Sequence, residues 1–108
     1  MTGLVTSGEK RLVLVSGRAH IELAQQVGDE LGCGVSPTTA YDFASGETYV
    51  RFNESVRGAD VFVLQSHTGE VNKWLMEQFI MIDAAKRASA KRITVVAPFY
   101  PYSRQDKK

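Results

Sequence analysis

The chain has 108 residues, of which 44% are hydrophobic, and its formal net charge is +1. This size allows one modest hydrophobic core, and the balanced charge argues against a surface that coats nucleic acid. The single cysteine excludes an internal disulfide, and no apolar run approaches the ~20 residues that cross a membrane, so we expect a cytoplasmic protein.

The first third of the chain predicts a strand followed by a helix. Residues 1–10 are mostly small and polar, and we interpret them as a flexible leader. An apolar run within residues 11–16 predicts a buried strand. Between residues 20 and 31 apolar side chains recur at steps of three and four, which predicts a helix that opens at His20 and ends at Gly32.

The middle of the chain predicts an irregular β region. Residues 35–40 are β-prone but contain Pro37, which suits the edge of a sheet or the start of a strand. Gly46 permits a turn, and residues 48–52 alternate between two faces. We therefore expect a β-hairpin beside the main sheet. Its tip would contain Phe43, Ser45 and Glu47.

The second half predicts strand, helix and strand. Residues 60–66 repeat the buried-strand pattern, and a long helix follows, capped by Asn72 and ending near residue 89. The uncharged residues 93–97 predict a final strand that is covered on both faces. The buried stripe expected on the long helix consists of Leu75, Phe79 and Ile82.

Alternating strands and helices predict one α/β domain over residues 11–108, with three layers and a mostly parallel sheet. In open α/β sheets, ligands bind beyond the carboxyl ends of the strands. The final strand leads into a cationic segment with Arg104 and Gln105, which suits a nucleotide or a phosphate. An ordinary solvated loop is the alternative interpretation.

Phe43 could be the flat partner of a purine, with hydrogen bonds from Ser45 and Glu47, although ordinary core packing also explains this phenylalanine. Other chemical signals are weaker. The turn at residues 17–22 could bind an anion but lacks a full glycine fingerprint. His67 has no second metal ligand at a suitable spacing, and Cys33 is expected to be inert.

Five segments of the chain form a pattern when they are taken together. They are Phe43-Ala-Ser-Gly-Glu47, Glu54-Ser-Val-Arg-Gly58, Val63-Leu-Gln-Ser66, Asn72-Lys-Trp-Leu-Met-Glu77 and Pro98-Phe-Tyr-Pro-Tyr-Ser-Arg-Gln-Asp-Lys-Lys108. In order and spacing they resemble the N-terminal domain of the ribose-phosphate pyrophosphokinase family, also called phosphoribosyl pyrophosphate synthetases. The resemblance covers residues 11–108 and implies a fold of the phosphoribosyltransferase-like type. The chain stops where the family's flexible catalytic loop begins, so the C-terminal domain is expected to be missing.

The resemblance implies an enzyme that transfers the diphosphoryl group of ATP, with Mg²⁺, to the C1 hydroxyl of ribose 5-phosphate, leaving AMP. It also implies a homo-oligomer of the hexamer-of-dimers type, with phosphate and ADP as effectors. No nucleic acid or membrane partner is expected. The metal-binding histidine and the ribose 5-phosphate loop of the family would follow Lys108, so the 108 residues alone should be inactive.

The resemblance also implies roles for individual residues, with the nucleotide lying between subunits. One subunit would contribute Phe43, Ser45, Gly46 and Glu47 to the ATP site, and its neighbour would contribute Arg104 and Gln105. Ser55 and Arg57 would belong to the regulatory phosphate and ADP site, although a plain surface turn is the alternative there. Ser45 departs from the family, in which many members have Asp or Asn.

Two other functions remain open at this point. The protein could be a non-catalytic regulatory subunit of such a synthetase, although the retained Glu47, Arg104 and Gln105 argue against that role. A free-standing nucleotide-binding module would have to bind ATP as a monomer, which a site shared between subunits disfavours.

Overall fold

A computed structural model of the chain describes residues 5–6 and 10–98. Within that part of the chain, six strands and two helices follow one another. They are β1 (Val5–Thr6), β2 (Lys10–Ser16), α1 (Ile21–Leu31), β3 (Thr38–Asp42), β4 (Thr48–Phe52), β5 (Asp60–Leu64), α2 (Val71–Arg87) and β6 (Arg92–Val96).

The main sheet has the strand order β1-β2-β5-β6. β2 and β5 pair in parallel with Val13 opposite Val61, and β5 and β6 pair in parallel with Val61 opposite Ile93. The expected mostly parallel sheet is thus confirmed, and the carboxyl ends of these three strands lie at one edge. Val5–Thr6, part of the expected leader, pair antiparallel with β2.

Side chains of β2 and β5 pack on both faces of the sheet, which gives the three layers. Successive residues of a strand point to opposite faces, so Val13 and Val15 face α2 while Leu14 faces α1. One cluster consists of Val13, Val15, Val56, Ala59, Val61, Val63, Met81 and Ala85. The other consists of Leu14, Ala24, Cys33 and Leu64.

Helix α1 has the predicted ends. Nδ1 of His20 accepts a hydrogen bond from the Leu23 N–H at 3.2 Å, which caps the amino end. Gly32 adopts a left-handed φ of 78° at the carboxyl end, as the sequence predicts. Cys33 follows in the core, where burial raises the pKa of its thiol. The expectation that this cysteine is inert agrees with that environment.

The predicted hairpin is present and forms a separate two-stranded sheet from β3 and β4. Its antiparallel ladder runs from the pair of Thr38 and Phe52 to the pair of Asp42 and Thr48. Val50 and Phe52 pack against the cluster beneath α2, so the end of the hairpin that is far from the tip is fixed in the core.

Two expectations about the second half were wrong. The residue before α2 is Glu70, and Asn72 lies inside the first turn of the helix. The buried face of α2 carries Glu77, Gln78, Met81 and Ala85; of the predicted stripe, Ile82 packs against the core but Phe79 is 53% exposed. At 3.6 residues per turn, the buried face is rotated by about a third of a turn from the predicted stripe. Because residues 77 and 78 are polar, the apolar pattern did not reveal the buried face.

The final strand also differs from the prediction. Val95 is 50% exposed although Ile93, on the same face of β6, packs against the cluster beneath α2, so this face is covered only in part. An uncharged run fits either a covered strand or one with an open face, and the sequence does not distinguish the two. Neither helix in the described part of the chain is long and apolar enough to span a membrane.

Candidate functional site

The tip of the hairpin is a five-residue turn from Phe43 to Glu47. The Phe43 N–H donates to the Glu47 carbonyl at 2.7 Å, and the Gly46 N–H donates to the Phe43 carbonyl at 2.8 Å. Gly46 has a φ of 96°, a conformation that favours glycine. The structure therefore brings four of the predicted ATP-binding residues, Phe43, Ser45, Gly46 and Glu47, into one exposed turn.

Ser45 and Glu47 are paired in this turn. The Ser45 hydroxyl donates to Glu47 Oε1 at 3.1 Å, and its oxygen accepts the Glu47 N–H at 3.4 Å. The Ser45 hydroxyl thus orients the neighbouring carboxylate. Both side chains remain exposed and can exchange this bond for one to a ligand.

Phe43 is 46% exposed, which rules out the alternative of ordinary core packing. Its ring meets Tyr41 at a centroid distance of 5.4 Å and an interplanar angle of 78°. Tyr49 lies 6.0 Å away at 72°. These edge-to-face contacts orient an aromatic ring at the surface. An exposed, oriented ring is suited to stacking on a flat ligand.

Asp42, the last residue of β3, anchors the base of this turn. Its Oδ1 lies 2.8 Å from Nη2 of Arg18, and its Oδ2 lies 3.1 Å from Nζ of Lys73. The Thr48 hydroxyl also donates to Oδ1, at 3.2 Å. Hydrogen bonds from Arg18 and then Lys73 lower the pKa of Asp42 from 3.8 to about 2. The carboxylate is therefore ionised at neutral pH.

Arg18 is bound in turn by Glu77, which has no exposed surface. The Arg18 backbone N–H donates to Glu77 Oε2 at 2.7 Å, and its Nε donates to Oε1 at 2.8 Å. The next backbone N–H, that of Ala19, donates to Oε1 of Gln65 at 3.1 Å. These two donors of the turn at residues 17–22 are thus engaged by side chains of the chain itself. The possible anion site predicted there is not supported.

Sequence reasoning missed these charged residues, which we call the Asp42 cluster and define as Arg18, Asp42, Lys73 and Glu77. One signal was available, since Glu77 lies four residues before the buried Met81 and so on the same face of α2. Lys73 also lies on α2, four residues before Glu77, whereas Arg18 and Asp42 lie in a loop and a strand elsewhere in the chain. Spacing along the chain gives no indication that Arg18 and Asp42 meet the two residues of the helix.

The predicted regulatory residues Ser55 and Arg57 lie together in a turn at the amino end of β5. Val56 between them is buried in the core, and this fixes the turn while its two neighbours stay exposed. The Arg57 N–H donates to the Ser55 hydroxyl at 3.3 Å, and Arg11 donates to the Ser55 carbonyl at 2.8 Å. The hairpin separates this turn from the tip at Phe43, so the two candidate sites are distinct.

Arg104 and Gln105, the remaining predicted ATP-binding residues, lie outside the described residues. Among residues 10–98, no group of three or more histidine, cysteine or carboxylate side chains is arranged to bind a metal ion. His67 is buried next to the carboxyl end of β5. The tip, with its aromatic ring and paired polar side chains, is therefore the strongest candidate site in this part of the chain.

The chain is similar to known proteins of one family. Residues 12–108 match the family described as the N-terminal domain of ribose phosphate pyrophosphokinase. The ribose-phosphate pyrophosphokinases of Streptomyces coelicolor and Corynebacterium glutamicum are 65% and 66% identical over all 108 residues, which span 33% of each relative.

A solved structure is similar as well, that of phosphoribosylpyrophosphate synthetase from Mycobacterium smegmatis. It is 67% identical with a TM-score of 0.88, and the match covers 92% of this chain and 33% of that one. The chain thus spans about a third of the length of the relatives that it matches. On the extent of the match and the agreement of the fold, this chain belongs to the ribose phosphate pyrophosphokinase family, as its N-terminal domain.

Proposed function

We propose that the whole protein is a ribose-phosphate diphosphokinase. It transfers the β,γ-diphosphoryl group of ATP to the C1 hydroxyl of ribose 5-phosphate, which gives phosphoribosyl pyrophosphate and AMP. This chain supplies part of the ATP site, and the reaction takes place in the cytoplasm. The observation that carries the proposal is the exposed turn with Phe43 and the Ser45–Glu47 pair, in a chain of this family.

Adenine binds at the turn through stacking and hydrogen bonds. The exposed ring of Phe43 supplies an apolar surface for the purine, and Tyr41 and Tyr49 support its orientation. The Glu47 carboxylate accepts a hydrogen bond from the exocyclic amino group of adenine. Ser45 orients that carboxylate and can itself donate to a ring nitrogen.

The ATP phosphates bind to Arg104 and Gln105 of a neighbouring subunit. The planar guanidinium of Arg104 can bind two phosphate oxygens at once, and Gln105 donates through its amide. A site of this kind requires a homo-oligomer. Exposed apolar side chains on α2 support subunit contacts, because Met76 is 54% exposed and Phe79 is 53% exposed on the same side of the helix.

Mg²⁺ is the cofactor of the proposed reaction, where it neutralises phosphate charge. The described residues do not provide a site for it. The best carboxylates near the tip, Asp42 and Glu77, are both engaged by Arg18. We therefore assign no metal ligand within residues 10–98.

The work of this domain in the reaction is positioning. A bound adenine fixes one end of ATP, so the diphosphoryl group is presented to the ribose hydroxyl in a reproducible place. Phosphate and ADP act as effectors at the turn with Ser55 and Arg57, where the exposed guanidinium supplies the charge that attracts an anion. That turn lies apart from the adenine site, which allows an effector and ATP to bind together.

The test is product analysis with the full-length protein. With ATP, ribose 5-phosphate, Mg²⁺ and phosphate, we expect AMP and phosphoribosyl pyrophosphate in equal amounts, measured by chromatography and phosphorus NMR. Formation of ADP in place of AMP would indicate a monophosphoryl kinase and contradict the proposal. A protein that forms no AMP, yet changes the activity of an added synthetase, would instead be the regulatory subunit considered above.

A further inference from the structure

We infer that Asp42 is a positioning residue for ATP, because it fixes the turn that carries Phe43 and Glu47 against the main domain. We assign neither Asp42 nor its cationic partners a contact with the proposed ligand. The inference rests on the proposed function only in assigning adenine to that turn. The structural step, that Asp42 anchors the turn, stands on the described contacts alone.

The hairpin needs such an anchor because its ladder is separate from the main sheet. Val50 and Phe52 fix its far end through contacts with the core. At the near end, Tyr41 and Phe43 are 45% and 46% exposed, so apolar burial fixes this end much less. The ion pairs of Asp42 join the near end to the domain.

The two cations approach Asp42 from different elements. Arg18 lies in the loop between β2 and α1, and it binds Oδ1 at 2.8 Å. Lys73 lies in the first turns of α2, and it binds Oδ2 at 3.1 Å. Each carboxylate oxygen therefore has its own cation, and the pair restricts both rotation and displacement of the end of β3.

Exposed ion pairs usually contribute little, because two flexible side chains must be ordered to form them. The cations at Asp42 are ordered beforehand. Glu77, fully buried, binds the backbone N–H and the Nε of Arg18. Lys73 lies over the ring of Trp74, with Nζ 5.0 Å from the centroid. The contacts with Glu77 and Trp74 thus reduce the entropy that Arg18 and Lys73 lose when they pair with Asp42.

Asp42 is bonded directly to Phe43, and its side chain also accepts from Thr48 across the ladder. Loss of its ion pairs would free the strand ends that flank the turn. The stacking ring and the Glu47 carboxylate would then be displaced relative to the phosphate-binding groups. Because ribose 5-phosphate does not contact this turn in the proposed site, the loss should raise the KM for ATP selectively.

The test uses the full-length protein with Asp42→Asn, which keeps the shape and removes the charge. Asp83→Asn is the matched control, because Asp83 pairs with Arg87 at 2.9 Å on an exposed part of α2. We expect the KM for ATP to rise about fivefold to tenfold in Asp42→Asn, with the KM for ribose 5-phosphate unchanged. The control Asp83→Asn should have the wild-type KM for ATP and the wild-type KM for ribose 5-phosphate.

Hydrogen exchange supplies a readout that does not depend on activity. In Asp42→Asn, amides of residues 41–49 should exchange faster, while those of β2 and β5 should keep the wild-type rate. Unchanged exchange at the turn would overturn the anchoring role. This measurement remains decisive if the wild type forms no AMP, so failure of the inference is distinguishable from failure of the proposed function.

A charge exchange tests specificity. Asp42→Lys alone places a third cation beside Arg18 and Lys73 and should raise the KM for ATP further than Asp42→Asn. Adding Lys73→Asp restores an attraction between positions 42 and 73. On a logarithmic scale, it should reverse at least half of the rise in the KM for ATP that Asp42→Lys causes. A double variant no better than Asp42→Lys, or an equal rise in both KM values, would mean a general structural role and would overturn the inference.

Discussion

Phe43 shows how local contacts orient an aromatic side chain at the surface. Its backbone N–H closes the turn on Glu47, and its ring meets two tyrosines edge to face. Nearly half of its surface remains exposed, and that part is available to a flat partner. The ring has lost much of its freedom already, so stacking incurs a smaller entropy cost.

Replacing Phe43 tests whether the flat ring matters. Phe43→Leu keeps an apolar side chain but removes the aromatic face, and base stacking on such a ring contributes about 1–3 kcal/mol. We expect the KM for ATP of the full-length enzyme to rise about tenfold, measured by initial rates of AMP formation. Phe43→Tyr, which keeps the ring, is the control and should stay within about twofold. A Leu variant with the wild-type KM would contradict adenine stacking at this position.

Asp42 also predicts a pH dependence of stability at the residue scale. Its pKa is about 2 in the folded chain against an ordinary value of 3.8, because of hydrogen bonds from Arg18 and Lys73. A lowered folded pKa means that the unfolded chain takes up the proton first on acidification. The stabilisation is therefore complete above about pH 5 and is lost as the pH falls from about 4 toward 2.

This loss can be measured as the urea midpoint of the full-length protein between about pH 5 and pH 2.5. The difference in urea midpoint between the wild type and Asp42→Asn should become smaller as the pH falls. The corresponding gap for Asp83→Asn should stay small throughout, since that carboxylate forms an exposed helix pair. If the difference in urea midpoint for Asp42→Asn is constant over this pH range, ionisation of Asp42 does not contribute to stability as predicted.

At the scale of elements, α2 is unusual in burying polar side chains where a helix normally buries apolar ones. Both buried groups have partners. Gln78 donates to the carbonyls of Val63 at 3.0 Å and Val96 at 3.3 Å, and so contacts β5 and β6 together. Glu77 binds Arg18 and accepts from Gln65 at 3.3 Å. The helix therefore locates the sheet and the hairpin through directed bonds as well as through packing.

Glu77→Gln should destabilise the protein although it keeps the shape. An amide cannot replace both carboxylate oxygens as acceptors, and Arg18 loses its fully buried countercharge. We expect the free energy of unfolding to fall by about 2 kcal/mol, measured by urea denaturation of the full-length protein. Glu70→Gln, at an exposed position just before α2 where the side chain caps nothing, should change stability by less than about 0.5 kcal/mol. Equal effects of the two substitutions would contradict this account.

At the scale of the whole molecule, periodicity predicted the strands, α1 and the hairpin because each reflects local chemistry. A turn requires a residue such as Gly46, and a strand buried on both faces requires an uninterrupted apolar run. The family resemblance located the tip and the turn with Ser55 and Arg57. The structure then added the exposure of Phe43, which shows that this ring is not part of the core.

What the sequence did not predict depends on contacts between distant residues. The buried face of α2 was predicted wrongly because Phe79 is more apolar than Glu77. Hydrophobicity alone cannot show that Arg18, which is distant in sequence, forms an ion pair with Glu77. The role of Asp42 was not predicted either, because its partners Arg18 and Lys73 are also distant in sequence. Val95 was placed in a covered strand, although its exposure depends on which layers surround β6.

The one-to-one ladder of β3 and β4 limits how this ribbon can change in length during evolution. One extra residue in β4 beside Val50 would reverse the facing of everything beyond it, since neighbouring side chains alternate. Two extra residues in each strand would leave both the core contacts and the orientation of the turn intact, and would move the turn outward by about 7 Å. The reach of the aromatic tip can therefore change in paired steps of about that size.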